Sequence, residues 1–174
     1  MSPETARADE PENLRRFTYA CEPALCREKV CCAHFDIAVS AAERERIIKR
    51  LPRLRRYCPW LPENADAVFT ATPCFLFIKK QANGLCLFNF PANGRDAQDG
   101  YYCAIHALAL AEGENPYAVK PRGCALWPFL EDGAGNLRVD DETTVFPCLR
   151  PCPARAAADP HFTELLDALP PREA

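Results

Sequence analysis

The plainest pattern in the chain is a pair of apolar, β-favouring runs, Phe75-Leu-Phe-Ile-Lys-Lys80 and Leu85-Cys-Leu-Phe-Asn-Phe90, on either side of Asn83-Gly84. An Asn-Gly turn between such runs predicts a β-hairpin, with Cys74 before its first strand and Cys86 near its turn. Earlier, Ser40-Ala-Ala-Glu43 has the form of a capping box, in which serine and glutamate each bond the other's backbone N–H. It predicts a helix over 41–51 ended by Pro52, then a short helix through Leu54 to Tyr57 that Pro59 stops. Ile105, Leu108 and Ala109 recur at helical spacing, which predicts a helix from Cys103 to Glu112 with Gly113 as its stop. The stretch 91–100 reads as a loop, and 114–124 as extended and broken by prolines. Leu126 to Leu130 pairs with Leu137 to Val139 across Glu-Asp-Gly-Ala-Gly-Asn, with Thr144 to Phe146 as a further strand. Pro160 to Leu169 reads as a short terminal helix. The elements are short and mixed, an α+β pattern.

Composition sharpens that picture. The 174 residues are long enough for one modest core, and 17 prolines force many turns, so the expectation is a small, loop-rich single domain that needs a staple. Residues 1–16 carry almost no large apolar groups and read as a flexible tail, leaving 17–170 as the domain. With 21 basic against 24 acidic residues the chain lacks the basic charge of a nucleic-acid binder. No apolar run approaches the ~18 residues of a membrane span, and the polar, acidic start is unlike a signal peptide. The expectation is a cytoplasmic protein with no nucleic-acid or membrane partner, in a compartment where thiols stay reduced.

That expectation changes the meaning of 11 cysteines. Reduced thiols in such number point to soft metal ligation. Cys21-x4-Cys26-x4-Cys31-Cys32 supplies four within one short segment, a spacing that lets a loop wrap an ion or cluster. If 31–32 is extended, the adjacent side chains point to opposite faces, so either they serve two centres or one of them binds while the other packs. Cys74, Cys86, Cys103 and Cys124 stand at the edges of predicted elements, where a scaffold can aim ligands inward. Cys103, at a helix start, has the helix dipole to favour its thiolate. Cys58, between Tyr57 and Pro59, reads as a packed or free thiol. Cys148 and Cys152 have a chelate spacing on a proline-stiffened loop.

The early array, together with Gly100-Tyr-Tyr-Cys103-Ala-Ile-His106 and Lys120-Pro121-Arg-Gly-Cys124-Ala-Leu-Trp127-Pro128, resembles the bacterial zinc- or iron-chelating cysteine-cluster proteins of the YkgJ type. The resemblance spans roughly 17–130 and is most specific in its late part. That family commonly has Cys-x2-Cys-x2-Cys-Cys where both gaps here are four residues. The wider gaps resemble the cysteine region of flagellin lysine N-methylases, considerably longer enzymes in which a similar cluster accompanies an iron-sulfur centre. The resemblance implies metal-ligand roles for Cys21, Cys26, Cys31, Cys32, Cys74, Cys86, Cys103 and Cys124, and no settled reaction.

Other side chains add candidates. His106 follows Cys103 by one helical turn and reads as a neighbour hydrogen-bonded beside the cysteines. His34 is a weaker ligand candidate, and His161 reads as surface. Lys120 and Arg122 beside Cys124 either offset an anionic centre or form a solvated loop. The basic run Arg44 to Arg56 is a solvated face, or a docking surface for an acidic partner. No phosphate-binding glycine loop and no Ser-His-Asp arrangement is present. The leading expectation is a domain organised around an iron-sulfur cluster, with zinc as the competitor and a redox or accessory role beside a partner protein. The alternatives are a protein-modifying enzyme of lysine N-methylase type and a structural zinc module for protein–protein interaction.

Overall fold

A computed structural model describes residues 17–19, 31–91, 100–132, 137–139, 146 and 149–151. Within them the chain is a small α+β domain of short helices and small antiparallel sheets. The expected tail, loop 92–99, Thr144 and Val145 of the expected strand Thr144–Phe146, the helix over 160–169, and Cys21, Cys26, Cys148, Cys152 and His161 lie outside the described residues, and Phe146 itself is in a bend. None of the described helices is long and apolar enough to cross a membrane.

Helix α2, Ala41–Leu54, is the scaffold (α1, Cys31–His34, precedes it). Its start is the expected capping box: Glu43 N–H donates to Ser40 Oγ and Ser40 N–H to Glu43 Oε2. Glu43, Ile47, Leu51 and Leu54 fall on one stripe and are buried. Each fully buried aliphatic side chain contributes about 1.5–3 kcal/mol. Pro52 does not end the helix. It lies one turn from the C-terminus, where its missing N–H removes a single bond, and Leu51 and Leu54 on either side anchor that turn in the core.

Strands β2 (Ala38–Val39), β3 (Phe69–Ala71) and β4 (Leu76–Ile78) form a sheet in the order β2-β4-β3. A 3-10 turn over Ala65–Val68 leads into β3. Val39, Phe69 and Ile78 face the core, with Phe69 opposite Ile78. This corrects the expected hairpin. Both edges of β4 are taken, so 85–90 does not pair with it and meets only the residues after it, through a bridge between Lys80 and Cys86. The turn itself forms as expected, with Gly84 at φ +84° and Leu85 N–H donating to Asn83 Oδ1. The chain then runs into β5 (Asn89–Pro91), which pairs with β6 (Tyr101–Cys103).

Helix α3, Ala104–Ala111, occupies the expected place with Ile105, Leu108 and Ala109 buried, and Gly113 follows at φ +70°. Residues 114–124 are not extended. Asn115 caps α4 (Pro116–Val119) with proline at its first turn, and Pro121 leads into α5 (Arg122–Leu126). The expected pairing of 126–130 with 137–139 is present over β7 (Phe129–Glu131) and β8 (Leu137–Val139), with Leu126 in α5 instead. Strands β1 (Phe17–Tyr19) and β9 (Leu149–Pro151) pair antiparallel.

Candidate metal centre

Four of the expected ligands come together from four elements. Cys32 stands in α1, Cys86 at the bridge after the Asn83-Gly84 turn, Cys103 at the junction of β6 and α3, and Cys124 in α5. Backbone bonds fix the first three: Cys86 N–H donates to the carbonyl of Cys32 at 3.1 Å and Ala104 N–H to that of Phe88 at 2.8 Å, while Asn89 lies opposite Cys103 in the β5–β6 register. Cys86 is buried in the main core, against which Cys32 and Cys103 pack. The thiols of Cys32, Cys86, Cys103 and Cys124 lie within reach of one another's charge. Among the described residues, however, no three His, Cys, Asp or Glu side chains close to the spacing of a bound ion.

Burial pushes the thiols of Cys86, Cys103 and Cys124 up, and their neighbours' negative charge pushes them further. Cys103 and Cys124 keep some accessible surface but lie deep enough for desolvation to dominate. Lys120 works against this at Cys103 and Cys124, and the Ile105 and His106 N–H groups favour the Cys103 thiolate without closing a cap hydrogen bond. Cys32 goes the other way, lowered to about 7: the Cys31 thiol hydrogen-bonds it, outweighing burial, and Lys120 and the Asn89 side chain assist. Lys120 therefore has the charge-offsetting place the sequence allowed, whereas Arg122 is committed to Glu131 through two contacts of 2.8 Å.

Cys31 and Cys32 do not sit in an extended segment. Both lie in α1 with sulfurs 3.8 Å apart, because successive residues of a helix turn by about 100° rather than alternating. Cys74 is exposed in the turn joining β3 to β4, at the opposite end of β4 from Lys80 and Cys86. Cys58 is a packed core thiol, its pKa pushed up to about 12 by burial and then by Cys103.

His106 is half-buried, edge-on to Tyr117, and lowered to about 4 by burial and by Lys120. His34 is exposed and lies edge-on to Phe35 and Phe146 in an aromatic group completed by Trp127, whose bond to Pro128 is cis. The basic run is largely neutralised within the fold: Arg44 pairs with Asp66, Arg50 with Glu114 and Arg53 with Glu112, and Arg55 donates to the carbonyls of Pro62 and Glu63.

Asn89 is the residue that sequence reading missed. It is 3% exposed, its side chain bonds the Cys32 sulfur, and its Oδ1 has no hydrogen-bond partner. A lone asparagine between two phenylalanines of an apolar run was its one signal. In donor chemistry the set suits a thiophilic metal: four thiols, a nearby ammonium and an amide. No model of a protein family, no curated protein and no solved structure matches the chain.

Proposed function

We propose that this domain is a metal-binding protein of the YkgJ cysteine-cluster type, with an iron-sulfur cluster held by Cys32, Cys86, Cys103 and Cys124 and with Cys21, Cys26, Cys31 and Cys74 as the remaining candidate ligands. The observation that carries the reading is the convergence of four thiols from separate elements, three of them resisting ionisation until a cation joins them. A metal cation removes that mutual repulsion and makes the deprotonated sulfur the stable form. The thiols must draw inward to ligate, since none of the described trios is at ion-binding spacing. When bound, such a cluster supplies one-electron chemistry. The residues of the chain supply soft ligands, a cation at Lys120 and an amide hydrogen bond from Asn89, both of which stabilise negative charge on sulfur.

A single zinc is favoured instead by one feature of the geometry, the 3.8 Å between the Cys31 and Cys32 sulfurs. Two thiolates on one tetrahedral zinc, with bonds of about 2.3 Å, stand about 3.8 Å apart. Purification without oxygen, followed by a visible spectrum with iron, sulfide and zinc analysis, separates the two. Broad visible absorption with iron and acid-labile sulfide is the expected result. A colourless protein with stoichiometric zinc supports the second reading, and a protein that takes up neither metal contradicts both.

A further inference from the structure

The buried carboxylate of Glu43 does more than cap its own helix. Its Oε2 accepts Ser40 N–H at 2.7 Å, as a capping box requires, but its Oε1 accepts the backbone N–H of Arg122 at 2.5 Å, 79 residues away. Arg122 is the first residue of α5, whose preceding Pro121 supplies no side-chain cap, so Glu43 takes over that role from another element. The Arg122 guanidinium grips both oxygens of Glu131 in β7. One turn of α5 is thus clamped at its backbone and at its side chain, and Cys124 stands two residues further on in the same helix. A carboxylate that is only 7% exposed is costly to bury unless its bonds are made, so the contact is worth keeping only where both donors stay in place.

We infer that Glu43 is a positioning residue for the metal centre, holding α5 so that Cys124 stays within reach of Cys32, Cys86 and Cys103. This rests on the metal-binding reading above. The stability role and the positioning role separate cleanly, because Ser40 and Glu43 share the cap of α2 while Glu43 alone reaches α5. Ser40→Ala removes a cap bond at a cost of about 1 kcal/mol and leaves the Arg122 contact intact. Glu43→Ala keeps that bond, which its backbone N–H donates, and removes both the Ser40 N–H bond to Oε2 and the Arg122 contact.

The test uses the full chain, purified without oxygen, and reads the metal carried per chain and its rate of loss to a chelator, with far-UV circular dichroism to verify folding. Glu43→Ala should lose metal roughly 10–100-fold faster than wild type, the range for residues that orient ligands, while Ser40→Ala stays close to wild type. If Glu43→Ala does not fold, Glu43→Gln, which keeps one oxygen acceptor, takes its place in the same comparison. Equal loss rates for the Ser40 and Glu43 variants overturn the inference. A wild-type chain that holds no metal overturns the reading beneath it first, and the inference with it.

Discussion

Cys58 and Cys74 meet opposite environments. Cys58 is fully buried, with its pKa pushed up to about 12, while Cys74 stands exposed in a turn. Because the thiolate is the nucleophile, alkylation of the native protein at pH 8 should modify Cys74 well before Cys58, as mass spectrometry of timed samples would reveal. Equal labelling of the two would contradict the assigned packing. His106 gives a second residue-scale expectation. Its folded pKa, about 4, lies below the 6.5 of the unfolded chain, because burial and Lys120 disfavour its proton. The unfolded state therefore binds more protons in that window, and the stability that neutral His106 permits is present above pH 6.5 and lost as pH falls towards 4. Urea unfolding across that range should show a steeper acid loss in wild type than in His106→Gln; parallel curves would refute it.

Among the elements, α2 shows what pattern and capping can and cannot reveal. The Ser40–Glu43 box marked its start, because that signal is local and chemical. Pro52 signals an end that the helix does not have, since the burial of Leu51 and Leu54 that holds the last turn is a tertiary fact. Pro52→Ala restores one backbone bond against a small gain in unfolded-state entropy, so it should stabilise the protein by about 2 kcal/mol in denaturant unfolding; a loss of stability would mean that the proline is required. The hairpin was half legible for a similar reason: Asn83-Gly84 forces the turn, but no local signal says that β2 and β3 occupy both edges of β4. Prolines at 116 and 121 suggest breaks and an extended 114–124, yet Pro116 opens a helix and Pro121 directly precedes one.

Across the whole molecule, the four converging cysteines come from positions spread between 32 and 124, and spacing alone could not tell Cys74 from Cys86. What distinguishes them is β4, whose two ends carry the chain in opposite directions, one to an exposed turn and the other to the core. Asn89 was illegible for the same reason, since its value lies in facing Cys32 rather than in its neighbours along the chain. The fold thus acts as a frame that gathers distant thiols, with Lys120 as their counter-charge and Glu43 as the brace behind Cys124. The most direct test of that frame is the metal retained per chain, after anaerobic purification, by wild type and by single serine variants. The account predicts retention in wild type, Cys58→Ser and Ser40→Ala, and loss in Cys32→Ser, Cys86→Ser, Cys103→Ser and Cys124→Ser. Metal content that is unchanged in those four variants, or absent from wild type, would contradict it.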